Sequence, residues 1–75
     1  MEDVRKIKKV LGVLVHLSEH RGRSLIAGEL EKSQYYQHKT EKLKGILVDN
    51  WNDISKLLNK FNEFQKLLNT DRENY

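Results

Sequence analysis

Two histidines near the N-terminus are the side chains whose spacing comes closest to a chemical site. His16 and His20 are four residues apart, so on a helix both rings project from one face and can chelate a metal ion. A third ligand such as Glu19 or His38 would have to join them, and the segment lacks the glutamate placement of the zinc-protease motif. Two solvated surface histidines explain the same pattern, so we predict no metal site.

A catalytic triad can be assembled on paper from Ser24, His20 and Asp49, but these residue types are common and their spacing does not fix a geometry. The four glycines are scattered and form no phosphate-binding loop. A chain of 75 residues would also need to oligomerise to enclose a typical substrate pocket of roughly 300–1,000 Å³. We therefore expect a non-enzymatic protein without a cofactor or a small-molecule substrate.

The chain is mildly basic, with 14 Lys and Arg against 11 Asp and Glu and a net charge of +3. In the order of its elements only, the chain resembles a helix-turn-helix, with Gln34–Lys44 as the recognition helix. The residues that would contact nucleic acid are Arg21, Arg23, Lys39, Lys42 and Lys44. Against this hypothesis, the link at Lys32 and Ser33 lacks a glycine, and no dense basic block occurs. A small DNA-binding regulator is therefore our alternative hypothesis, beside a merely solvated helix face.

The length predicts a single domain over residues 1–75 that needs a partner for stability. A chain this short buries only about 60% of its unfolded surface. Cysteine is absent, so no disulfide can reinforce the fold, and association with another chain is the remaining means. The apolar run Val10–Val15 mimics a signal peptide, but acidic residues precede it and it is much shorter than the ~20 residues of a membrane span. We expect a soluble, cytoplasmic protein.

The absence of proline favours long helices. Helix one is predicted over residues 3–20. Four aliphatic residues repeat along it at heptad spacing: Val4, Ile7, Leu11 and Leu14. Gly22 suits the left-handed residue that ends a helix, and Ser24 suits the N-cap of the next one. The boundary between the first two helices is therefore predicted at residues 21–24.

The remaining chain is predicted to be a helical arm over residues 25–69, followed by a frayed tail at 70–75. One series of three- and four-residue steps runs along the arm: Tyr36, Thr40, Leu43, Leu47, Asn50, Ile54, Leu57, Phe61, Phe64 and Leu68. Either the arm breaks near residues 45–50, with Asp49 or Asn50 as the cap of a third helix, or it is continuous. In a continuous arm, Asn50 would be a polar residue inside a heptad seam, which can fix the register of a coiled coil.

We therefore predict an all-α protein, either a helical hairpin or a three-helix bundle with a long C-terminal arm. The predicted core is Val4, Ile7, Leu11, Leu14, Leu30, Leu47, Trp51, Ile54, Leu57, Leu58, Phe61, Phe64 and Leu68. The aromatic-rich seam is wider than one helix can cover, which is typical of an interaction site. The predicted interface is Leu47, Trp51, Ile54, Leu57, Phe61, Phe64 and Leu68. It would serve a homodimer, a higher homo-oligomer or the binding and inhibition of a larger protein.

Overall fold

The protein is a bundle of three α-helices. A computed structural model describes residues 2–73, with α1 at Glu2–Ile26, α2 at Leu30–Asp49 and α3 at Ile54–Glu73. Helix α2 runs antiparallel to both α1 and α3, since Ser33 contacts Arg21 and Tyr35 contacts Asp71. The long axis of 40 Å matches the ~38 Å expected of a 25-residue helix. The all-α class and its three-helix form are confirmed.

The first helix is longer than predicted, and the predicted boundary at residues 21–24 is wrong. Helix α1 continues to Ile26, and the left-handed residue is Gly28, with φ 78°, instead of Gly22. The amide of Gly28 donates to the carbonyl of Leu25 at 3.1 Å, and the amide of Glu29 donates to the carbonyl of Ser24 at 2.8 Å. These two bonds form a Schellman motif, which satisfies the last carbonyls of α1.

The helical arm breaks, as one of the two alternatives predicts: α2 ends at Asp49, within the predicted range of residues 45–50, but α3 begins at Ile54, later than a cap at Asp49 or Asn50 would place it. The side chain of Asn50 donates to the carbonyl of Ile46 at 2.9 Å and ends α2. The carbonyl of Asn50 accepts from the amide of Asp53 at 3.0 Å, which closes a tight turn. Asp53 is the N-cap of α3, because its carboxylate accepts from the amide of Lys56 at 3.1 Å. Asn50 therefore ends a helix and does not set a coiled-coil register.

Helix α1 buries a different face from the one predicted. Its buried residues are seven apart: Val10, Leu17 and Ser24. Of the predicted stripe, Val4 and Leu11 are exposed, while Ile7 and Leu14 are half-buried. The reason is that aliphatic residues occupy nearly every side of α1 around Val10–Val15, so the heptad can be drawn in more than one phase. The face of α1 that contains Val10, Leu17 and Ser24 is therefore the one that packs against the short side chains of α2.

Short polar side chains let α1 and α2 approach closely. Ser33 and Thr40 are buried on α2. The hydroxyl of Ser33 donates to the carbonyl of Arg21 at 3.3 Å, and that of Thr40 donates to the carbonyl of Tyr36 at 2.7 Å. Because each buried hydroxyl has an acceptor, the contact carries little desolvation cost. The packing between α1 and α2 is the most extensive in the bundle.

The three- and four-residue series predicted for the arm forms the inner face of α2 and α3. The buried hydrophobic core is Val10, Leu17, Leu43, Leu47, Leu57, Phe61 and Phe64. Three residues of the arm that are predicted to be core are exposed instead: Leu30, Trp51 and Ile54. Leu30 follows the turn at Gly28, Trp51 lies in the turn between α2 and α3, and Ile54 is the first residue of α3. Leu58 and Leu68 are half-buried against the core.

The predicted frayed tail at residues 70–75 is wrong for its first four residues, because α3 remains helical through residues 70–73. Residues 74–75 lie outside the described residues. Asp71 holds this end of α3 to α2 through Tyr35 and Lys39. Within residues 2–73, no helix combines the length and apolarity that crossing a membrane requires.

Candidate functional site

The aromatic seam predicted as an interface lies mostly inside the chain's own core. Four of its seven residues are buried there: Leu47, Leu57, Phe61 and Phe64. Leu68 is half-buried, and only Trp51 and Ile54 remain exposed. A buried side chain cannot contact a partner without opening the bundle, so the surface that is free for binding has to lie elsewhere.

The basic residues predicted to contact nucleic acid do not share one surface. Arg21 and Arg23 lie within α1 instead of a turn, so the predicted element order of a helix-turn-helix is wrong. Residues two apart on a helix are rotated by about 200° around the helix axis, so Arg21 and Arg23 project from nearly opposite sides of α1. The same geometry separates Lys42 from Lys44 on α2. A recognition helix needs its reading residues on one face.

Lys39, the fifth predicted contact, is part of a cluster that joins α2 to α3. Its ammonium lies 3.1 Å from the carboxylate of Asp71, and its side chain is only 13% exposed. The same ammonium lies 5.6 Å from the centre of the Tyr35 ring, and the Tyr35 hydroxyl donates to Asp71 at 3.1 Å. The hydrogen bond from Lys39 lowers the pKa of Asp71 below its ordinary value of 3.8. The cluster is therefore a tie between helices.

His16 and His20 both face a groove and are not grouped with further ligands. Among the described residues, no three His, Cys, Asp or Glu side chains are arranged to hold a metal ion. The ring of His20 instead stacks on Tyr36, with centroids 5.2 Å apart and planes 22° apart. The catalytic triad considered from the sequence cannot form, because Ser24 and Asp49 lie at opposite ends of the antiparallel pair of α1 and α2.

An open groove follows the contact between α1 and α3. Its wider part, of about 570 Å³, has an apolar floor that includes Val13, Leu17 and Leu68, with Tyr36 contributed by α2. Its narrower part, of about 510 Å³, reaches towards the N-terminal ends of the two helices. Gln65 lines both parts, so they are adjacent.

The two walls of this groove differ in chemistry. The α1 wall carries basic and imidazole side chains: Lys6, Lys9, His16 and His20. The α3 wall carries amides: Asn59, Asn62, Gln65 and Asn69. Reading the sequence for apolar periodicity missed both walls, although the uncharged polar residues recur along α3 at three- and four-residue steps. That recurrence is the signal that identifies the α3 wall.

A second heptad series lies on the side of α1 that faces away from the core. We call it the outer stripe: Val4, Lys8, Leu11, Val15, Ser18, Gly22 and Leu25. Its four large apolar residues are exposed, and Ile26 beside them is 90% exposed. Sequence reasoning missed this stripe because Val4 and Leu11 were placed in the core. An apolar stripe along the whole length of a helix is more than the scattered exposed hydrophobic residues normal for a protein surface.

Comparison with protein-family models, with curated protein sequences and with solved structures finds no match for this chain.

Proposed function

We propose that the chain is a small protein-interaction module that forms an antiparallel homodimer through the outer stripe of α1. The observation that carries the proposal is that the apolar residues of the outer stripe are exposed, while the buried core of the bundle is formed without them. Heptad repeats of apolar residues pack into the equivalent repeat of a second helix. A 75-residue chain without cysteine is also the kind of protein that gains stability by association.

The spacing of the outer stripe is self-complementary when a second copy runs antiparallel. With the two-fold axis at residue 13, Leu11 lies opposite Val15 of the second copy, and Val4 lies opposite Gly22. A closed homodimer requires such a symmetric surface, in which each pairing occurs twice. The missing side chain of Gly22 leaves room for Val4, and beyond the adjoining residues and backbone of α1 no atom lies within 4 Å of where its Cβ would stand.

Two charged residues of α1 support the same antiparallel register. Lys8, within the outer stripe, and Glu19, at its edge, are eleven residues apart on α1, about three turns, so both project to the same side of the midline of the stripe. Around an axis at residue 13, Lys8 of one copy lies beside Glu19 of the other. In the described part of the chain neither residue forms an ion pair within its own chain. The two intermolecular pairs would select the antiparallel orientation over the parallel one.

The available area suits a modest dimer. The apolar residues of the outer stripe, together with Ile26, are between 43% and 90% exposed. If each loses roughly 100 Å², two copies bury on the order of 1,000 Å², the lower end of the range for specific interfaces. We therefore expect a reversible dimer with a micromolar dissociation constant instead of an obligate one.

The test compares two exposed valines on different helices. Val15→Asp places a charge in the middle of the outer stripe, whereas Val48→Asp places the same charge on the outside of α2; these valines are 54% and 77% exposed. We expect light scattering over a range of concentrations to show a dimer for the wild type and for Val48→Asp, and a monomer for Val15→Asp. A wild type that remains monomeric at millimolar concentration would refute the proposal.

A further inference from the structure

We infer that the groove between α1 and α3 binds an extended acidic segment of a partner protein, in which acidic and apolar residues alternate. This site lies on a different side of α1 from the outer stripe, so it does not depend on the proposed dimer. Three features of the groove specify the ligand: a positive wall, a wall of amides and an apolar floor.

The positive wall is free to attract an acidic ligand. Lys6 and Lys9 form no ion pair within the described residues, unlike Lys32 and Lys39, which are paired to Glu29 and Asp71. Asp3 is the one carboxylate that lines the described groove. Unpaired cations along a concave surface raise the local concentration of anionic ligands. The groove is thus complementary to carboxylates.

The amide wall suits a peptide backbone. Each amide side chain offers donors and an acceptor, which is what a peptide group requires of its partner. Asn62 and Asn69 are seven residues apart, so they lie on the same side of α3 at a separation of about 10.5 Å. An extended chain advances about 10 Å in three residues, so these two amides match peptide groups at that interval. Within the described residues, neither amide forms a hydrogen bond to the rest of the chain.

The floor of the wider part accepts apolar side chains. Val13, Leu17 and Leu68 line it, in a space of about 570 Å³. In an extended peptide, alternate side chains point in opposite directions. Lys6 and Lys9 line the narrower part, where the half-buried Leu58 supplies apolar surface beside them. In an extended segment that lies along both parts, one set of side chains can therefore contact this surface and the floor, while the other set reaches the two ammonium groups.

The same features favour a peptide over single-stranded nucleic acid. Sequence-tolerant binding of single strands depends on bases stacking on aromatic rings. Here the ring of Tyr36 already stacks on His20, and Tyr35 packs edge-on against Tyr36 at 5.3 Å. The two tyrosine rings of the groove are thus already in contact with other rings, and Phe61, which also lines it, is buried.

The probe is a fluorescein-labelled octapeptide of alternating glutamate and leucine, measured by fluorescence anisotropy with the full chain. We expect saturable binding that weakens as salt is added. We also expect at least a tenfold loss of affinity when serine replaces every leucine of the peptide, because the apolar floor then loses its contacts. A labelled eight-nucleotide oligothymidylate that binds more tightly than the peptide would overturn the inference in favour of nucleic acid.

Paired variants locate the binding. Lys6→Glu with Lys9→Glu, or Asn62→Ala with Asn69→Ala, should each weaken binding of the alternating peptide at least tenfold, with circular dichroism confirming that the helices persist. The control Asn52→Ala, in the exposed turn, should leave affinity unchanged. Binding that all variants retain, or no saturable binding by the wild type, would overturn the inference. The Val15→Asp monomer should bind the peptide as the wild type does, which separates this inference from the proposed dimer.

Discussion

The hydroxyl of Tyr35 donates to the carboxylate of Asp71 across 3.1 Å and so joins the first half of α2 to the last turns of α3. Lys39 contacts the same carboxylate oxygen, and its hydrogen bond lowers the pKa of Asp71 below 3.8. A group whose pKa is lower in the folded state stabilises the fold above its unfolded pKa, and that stabilisation is lost as the pH falls through the folded pKa.

Asp71→Asn should therefore destabilise the protein near neutral pH and make less difference in acid. We expect the wild type to have the larger free energy of unfolding well above pH 3.8. The difference between the two proteins, the stability gap, should narrow as the pH falls through and below that value. The carboxylate is solvent-accessible, so added salt should also narrow the gap. Urea unfolding followed by circular dichroism across acid and neutral pH measures both effects. A gap that stays constant with pH would show that the ionised carboxylate does not stabilise the fold.

Replacing Gly22 by alanine should strengthen the single chain and weaken the dimer. Gly22 lies inside α1 with open space at its Cβ position, so alanine should stabilise the helix by about 0.5–1 kcal/mol. In the proposed dimer, however, the new methyl group meets Val4 of the second copy. We expect the dimer dissociation constant to rise about tenfold, a change of about 1.4 kcal/mol.

Gly45→Ala is the matched control for this experiment. Gly45 also lies inside a helix with nothing within 4 Å of its Cβ position, but on α2, away from the outer stripe. It should stabilise the chain by a similar amount and leave the dimer unchanged. Stability is best compared in the Val15→Asp background, where dimerisation does not contribute. Equal effects of Gly22→Ala and Gly45→Ala on the dimer would argue against the proposed register.

Two leucines on α3 separate core packing from surface exposure. Leu57 is 1% exposed and Leu67 is 52% exposed. Leu57→Ala should cost about 2–5 kcal/mol, because it removes apolar contacts and leaves a cavity. Leu67→Ala should cost less than about 1 kcal/mol. Denaturant unfolding measures both values. Similar losses for the two variants would mean that α3 packs on the bundle with a different face.

The inner face of α2 and α3 could be predicted from the sequence because one heptad series dominates it. Tyr36 to Leu68 follow that series through the turn, and apart from Ile54 its members are buried or half-buried. The turn interrupts the helix without changing the phase, because Asn50 ends α2 while keeping its side chain on the inner face. Periodicity alone does not distinguish a broken helix from a continuous one in such a case.

Helix α1 could not be predicted as well, because two phases compete for its core face. The series through Val4 and Leu11 consists of aliphatic residues in the first half of α1, so it dominates the sequence pattern. The series through Val10 and Leu17 is the one that is buried in the structure. The packing of α1 on α2, which includes the hydrogen bond from Ser33 to the carbonyl of Arg21, distinguishes between them, and no local pattern records that packing. The misplaced boundary at Gly22 has a similar cause, since glycine in an open helix position is tolerated.

The outer stripe and the groove could not be predicted from the sequence for related reasons. Two residues of the outer stripe, Val4 and Leu11, were predicted to be core, and the groove exists only once α3 lies beside α1. The aromatic residues that suggested an interface fill the bundle instead: Phe61 is buried, and so is Phe64. The sequence pattern thus identified how the chain folds better than which surface it leaves free.

The charge-reversal cycle between Lys8 and Glu19 tests the antiparallel dimer most directly. Lys8→Glu and Glu19→Lys should each place like charges opposite one another and raise the dimer dissociation constant at least tenfold at low salt. The double variant should restore wild-type association, because the two pairs re-form with their signs exchanged. Sedimentation equilibrium of the four proteins gives these constants. Losses that simply add in the double variant, or no loss in either single variant, would contradict the proposed dimer.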